Sequence, residues 1–332
     1  MRPFAAPASV LALALGLATP ALAGVDEALD GHVLPGLAAF AAATEDLAQT
    51  AQSDCRAETL RPAFAEAFDA WMPVADLRIG PSENGAFSIA FWPDPRGFTQ
   101  RTLTRLIDAQ DPVAEDIEAY AEVSIAARGF FALEMLLHDP AFADYAAGSY
   151  DCRLVATIAA DLDRQAEALA ADWSGPFAAT LRGAGTEGNT TYLSADEALR
   201  AIYTQILSSL EFTAEQRLGL PLGTFDRPRP ALAEARRSGR SLRHVVLASE
   251  AAHALAVQLA DRKLPRTDAA LEDVHDAAAN VSDPAFQDVT DPQARLRVEV
   301  LQQSVRSLHR AIEVEIGAPL GIAPGFNAQD GD

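Results

Sequence analysis

Apolar residues recur along this chain at the three-to-four-residue spacing of an amphipathic helix, in alanine-rich segments that favour helix formation. No stretch shows the strand–turn–strand rhythm of a sheet. The pattern restricts the fold to packed helices, and the expected class is all-α. Helices are expected over 25–52, 57–77, 149–173, 194–212, 241–262, 268–281 and 294–317, with shorter pieces at 213–216 and 231–237. Another should start at Asp111-Pro112, run to Ala127, bend near Gly129 and continue to Leu137, since proline suits a first helical position. Ser194-x-x-Glu197 is a capping box. Gly80–Gly97 and Gly219–Pro230 read as irregular loops, the first retaining Phe87, Phe91 and Trp92. Aromatic loops usually pack over helix tops or a ligand.

At 332 residues the chain is long for one small core and suits two domains. The Gly183–Asn189 run is the expected boundary. It divides a four-helix-bundle-like half over 24–185 from a second helical half over 186–332. Residues 1–23 read as a signal peptide: Arg2 starts it, Val10–Ala18 is the apolar core, and Ala21-Leu22-Ala23 is a cleavage site. No later run is apolar enough to span a membrane. The expectation is an exported protein cut after Ala23, periplasmic where the cell has two membranes and open to peripheral envelope association. A net charge of −21 disfavours nucleic acid and anionic lipid as partners. In an oxidising compartment the two cysteines, Cys55 and Cys152, most simply form one disulfide. A two-cysteine metal site is the alternative, though neither has a close Cys or His neighbour.

The place for chemistry is Glu134, alone among apolar residues in Gly129-Phe-Phe-Ala-Leu-Glu134-Met-Leu-Leu-His138. A buried carboxylate must find a partner or take up a proton. His138, one turn on, could share a metal ion with it or form a hydrogen-bonded pair. Glu250-x-x-His253 and Glu272-x-x-His275 echo di-iron bundles, but no intervening helix supplies a further ligand, so solvent-facing residues are expected. The arginines at 227, 229, 236, 237, 240 and 243 could clamp a carboxylate or phosphate. They could equally tie the two halves together through ion pairs. Zinc-protease, Walker, dinucleotide and nucleophile-elbow motifs are absent from the sequence.

Several segments resemble the imelysin-like family, the peptidase M75 superfamily. They are Arg78-Ile-Gly-Pro81, Phe91-Trp-Pro-Asp-Pro95, Gly129–Glu134, Arg237-Ser-Gly-Arg-Ser-Leu-Arg243 and Gly325–Asp332. In order, they span nearly the whole chain after the signal segment. The resemblance implies two helical domains, each related to a four-helix bundle, and an exported envelope protein linked in several members to iron acquisition. Metallopeptidase activity is attributed to some members. The family's marker is G-x-H-x-x-E, with His and Glu as proposed metal ligands. Here Gly129 and Glu134 match, and Phe131 stands at the His position.

Phenylalanine binds no metal, and zinc sites usually need three protein ligands. The expected function is therefore a non-catalytic binding or accessory protein in iron or other divalent-metal uptake. A metal ion or metal chelate would be its ligand, and envelope iron-uptake proteins its partners. Expected ligand-contacting residues are Glu134, Arg78, Trp92, Asp94, Ser238, Arg240 and Arg243, with His138 a substitute metal ligand. The alternatives are a metal-dependent peptidase using Glu134, His138 and a third ligand, and an envelope interaction module docking through Gly80–Gly97.

Overall fold

Helices form nearly all of the regular structure, as the periodicity requires. The computed structural model describes residues 24–260 and 262–321. The expected signal segment with its cleavage after Ala23, and the terminal Gly325–Asp332 segment, lie outside the described residues. The chain enters through Val25–Ala28 and a wider π-type turn, Leu29–Val33, which continues directly into α1 (Leu34–Ser53). There follow α2 (Ala57–Trp71), α3 (Ser82–Ile89), α4 (Phe98–Ala109), α5 (Gly129–His138) and α6 (Tyr150–Asp172). The later helices are α7 (Ala195–Phe212), α8 (Ser241–Leu259), α9 (Pro265–Ala279) and α10 (Pro292–Ile312). Among the described residues there is no strand, only an isolated bridge between Thr224 and Arg227.

α1 packs on α2 and α6, with α5 against the same two helices. Its filling is aromatic: Phe40, Phe64, Phe68, Trp71 and Phe130 are fully buried, and Phe68 stacks on Phe130 at 4.2 Å. Each such ring contributes about 1.5–3 kcal/mol through burial. α7 packs on α8 and α10, and α9 lies against α8 and α10. The entry segment at 25–33 contacts α8, and its first turn also touches α7. One continuous buried cluster therefore runs through both groups of helices. Cys55 and Cys152 form a disulfide that ties the start of α2 to the start of α6. No helix among the described residues is long and apolar enough to cross a membrane.

Several expected boundaries shift, each for a local reason. α2 stops at Trp71 rather than Leu77, where Pro73 follows and the chain enters successive turns. The 111–127 stretch is not one helix. Asp111, Asp116 and Ser124 each accept a hydrogen bond from a nearby backbone N–H, and these bonds start three separate short turns instead. Gly80–Gly97 is only partly irregular, since α3 occupies its centre, and α4 is a helix that the reading of the sequence did not name. Residues 231–237 form turns rather than a helix. A 3-10 turn ends at Leu232, and Ala235 adopts a φ of 47°, outside the helical region. Gly219–Leu222 is a helical turn opening a segment expected to be all loop.

Candidate functional site

Gly129 fixes where α5 begins. Its φ is 67°, and a Cβ there would lie 2.1 Å from the Ile89 carbonyl oxygen at the end of α3. Only glycine permits this approach, which sets α5 against the end of α3. The following residues, Phe130 to Leu137, are all buried.

Glu134 is 1% exposed. It is held by Ser238, 104 residues away: the Ser238 backbone N–H donates to Glu134 Oε1 at 2.9 Å, and the Ser238 hydroxyl lies 2.8 Å from the same oxygen. Burial pushes the carboxyl up, while the two Ser238 bonds and the neighbouring Arg237 and His244 act against it. Its partner is thus a neutral hydrogen-bonding group.

Glu134 forms part of a cleft of about 110 Å3. One side comes from α5 (Phe131, Glu134, Met135), the segment leading into α4 (Phe91, Trp92, Asp94) and the first turn of α4 (Thr99); the other comes from 231–237, including Arg236 and Arg237. Trp92 stacks on Phe131, with ring centres 6.5 Å apart and planes 22° from parallel, and meets Phe212 edge-on at 5.9 Å. Asp94 uses both carboxylate oxygens on the start of α4, accepting from Phe98 N at 2.9 Å and Thr99 N at 2.8 Å. It is a helix cap that also lines the cleft.

The arginine run divides by role. Arg237 Nε pairs with Asp139 at 2.7 Å, Arg240 Nε with Asp69 at 2.9 Å, and Arg243 Nε with Asp69 at 3.2 Å. These bonds tie the 237–243 segment to α2 and the end of α5, the tethering role left open by the sequence. Arg240 therefore pairs with Asp69. Arg78 is not among the residues lining the cleft. Its backbone N–H donates to Gln205, its guanidinium lies 5.3 Å from the Phe87 ring, and its buried Nη1 has no partner.

His138 packs its ring against Phe64 at 5.5 Å, and its buried Nε2 has no hydrogen-bond partner. Burial, with Arg61 and Arg240 adding to it, brings its pKa down to about 4. His253 bonds Asp268 at 2.7 Å and His275 bonds Glu250 at 3.0 Å, so both E-x-x-H units serve as links between α8 and α9. Among the described residues no group of three or more His, Cys, Asp and Glu side chains is placed to hold a metal. Phe131 lacks a donor atom and Glu134 Oε1 is engaged by Ser238, so the residues present do not fit a resident, protein-ligated metal.

Two groups were not singled out from the sequence. His244 is fully buried on α8, edge-on to Phe68 at 4.4 Å, with Nδ1 3.5 Å from Glu234 Oε2. Arg217 is buried between Asp76 and Glu234. His244 directly follows the Arg237–Arg243 segment and lies on the apolar face that carries Val245 and Ala248, which was its only signal. Arg217 carried no signal, because its partners come from distant parts of the chain.

The imelysin family model matches residues 33–312 of this chain. In three dimensions the chain is similar to the crystal structure of an imelysin-like protein from Psychrobacter arcticus 273-4. The TM-score is 0.74 at 20% sequence identity, covering 91% of this chain and 96% of that one. At that identity the likeness shows a shared fold. No curated protein matches the chain in sequence.

Proposed function

We propose, from the premise that the chain belongs to the imelysin family, that it is a non-catalytic binding or accessory protein of the cell envelope, acting in iron or other metal uptake. It is exported by cleavage after Ala23. Its mature part forms one helical domain over 24–185 and a second over 186–332, with the ligand seated in the cleft between them. The observation that carries this reading is the composition of that cleft. Aromatic rings, an uncharged-partnered glutamate and an arginine meet there, and Phe131 occupies the position at which the family motif has histidine.

Such a lining suits recognition better than hydrolysis. A metal-dependent peptidase needs an open metal coordinated by about three side chains, and the Glu134 surroundings supply no such set. Metal would arrive as cargo within a ligand. Small-molecule sites of this kind are largely apolar, with a few placed polar groups.

Isothermal titration with ferrous iron, ferric iron and ferric chelates tests the reading, together with growth of a deletion strain under iron starvation. Saturable binding of at least one chelate, lost on Trp92→Ala, and slower growth of the starved deletion strain are expected. No saturable binding, with normal growth of that strain, refutes it.

A further inference from the structure

Among the described residues, the cleft contains one arginine that forms no ion pair. Arg237, Arg240 and Arg243 are committed to Asp139 and Asp69. Arg236, half-buried beside them, donates its Nε to the Ala231 carbonyl at 3.0 Å and forms no ion pair. Burial and the adjacent Arg237 act against its positive charge, and Glu134 and Asp139 favour it from beyond ion-pair distance. A guanidinium fork in that situation matches a carboxylate in geometry and charge. The acids that act on Arg236 are Glu134, held by Ser238, and Asp139, paired with Arg237, while Asp94 is engaged by two N–H groups of α4.

The remaining surroundings narrow the ligand. Trp92 and Phe131 line the cleft with their rings near parallel, and Phe91 is nearby on the same side. Thr99, 3% exposed, also lines the cleft, and its hydroxyl has no hydrogen-bond partner. The volume of about 110 Å3 is comparable with the ~150 Å3 apolar cavity that holds a benzene. That size suits a ring-sized group seated in the cleft. A phosphate would ask for more donors: among the described residues one arginine of the cleft is outside an ion pair, and Asp94 occupies the start of α4.

We propose that the cleft takes a flat, carboxylate-bearing organic molecule, its carboxylate paired with Arg236 and its ring laid against Trp92. This rests on reading the cleft as a binding site, and it specifies that recognition is of the organic acid itself, with or without metal.

The test uses the mature chain with benzoate and salicylate as probes, and benzamide and inorganic phosphate as controls. Titration calorimetry and tryptophan fluorescence are the readouts. Benzoate or salicylate should saturate, benzamide should bind at least about tenfold more weakly, and phosphate should not compete. Arg236→Gln should weaken the acids by about tenfold or more, with thermal unfolding unchanged because only one bond to Ala231 is lost. Trp92→Phe should abolish the fluorescence change. Equal binding of benzoate and benzamide, or an unchanged affinity in Arg236→Gln, overturns the inference. If ferric chelates still bind in that case, the binding-protein reading survives; if no probe and no chelate binds, both fall.

Discussion

Arg217→Met tests how the 231–237 wall of the cleft is held. Arg217 is 3% exposed and bridges two carboxylates. Its Nη1 and Nη2 reach Asp76 at 2.7 and 3.0 Å, and its Nε reaches Glu234 at 2.8 Å. Glu234 lies within the wall, and Asp76 in the turns after α2, so one guanidinium joins them. Burial alone would raise the Glu234 carboxyl, but Arg217 and the His244 contact outweigh it and hold it at about 2, against an ordinary 4.5. A carboxyl held that low contributes about 3 kcal/mol of stability at neutral pH. Because the folded value is depressed, this contribution is present above 4.5 and is lost as pH falls through about 2. Methionine keeps the side-chain length but strips the buried Glu234 and the partly exposed Asp76 of their cation. Breaking such a pair costs about 3–5 kcal/mol. Urea unfolding should show that loss near neutral pH. The orphaned Glu234 carboxyl then titrates upward, so the gap to wild type should narrow by about 1 kcal/mol or more in mildly acidic buffer. A loss below about 1 kcal/mol near neutral pH, or a gap independent of pH, refutes the argument that buried charge pairing holds this wall.

Two further outcomes are expected. Replacing both Cys55 and Cys152 with alanine opens a loop of 97 residues and should lower stability by about 4–5 kcal/mol in the chain-entropy model, read by urea unfolding beside the reduced wild type. Glu134→Gln should be neutral or stabilising near neutral pH, because glutamine keeps an acceptor for Ser238 and removes a carboxyl whose pKa burial has raised. A raised folded value stabilises below the unfolded value and is lost as pH rises, so the advantage of the variant should shrink on acidification; an advantage that grows in acid contradicts the assignment.

Helix content was legible because burial imposes a period that local sequence carries. α6 and α8 start where the spacing places them, and Ser194 accepts the Glu197 N–H, which is half of the capping box; the Glu197 carboxylate takes the Leu193 N–H instead of that of Ser194. Boundaries failed where short-range side-chain bonds competed with the helix, as at Asp111, Asp116 and Ser124. They failed also at Ala235, whose left-handed backbone has no signal in alanine. α3 was hidden by Pro81 and Gly85, which read as loop residues although the first sits at its start and the second lies inside it. The cleft was legible in part. Trp92, Asp94, Glu134, Arg236 and Arg237 were named and line the cleft; Arg227, Arg229, Arg240 and Arg243 of the same run do not, and Arg78 and His138 turn to other neighbours. Which arginine stays free could not be read from the run, since that depends on where Asp69 and Asp139 stand in space.

The pairing of Glu134 changes what a motif of this kind implies here. A glutamate in an apolar helix suggests either a metal or an arginine as its partner. The fold gives Arg240 to Asp69 and sets a serine N–H and hydroxyl against Glu134 instead. With phenylalanine one turn earlier, neither a metal nor a cation is needed to make the burial tolerable, because two neutral bonds and a raised pKa suffice. The two departures belong together. Once the histidine is an apolar ring, a fully charged, metal-seeking carboxylate would be costly beside it. The Ser238 clamp keeps the carboxyl oriented, and the charge available to a ligand lies with Arg236, on the opposite wall.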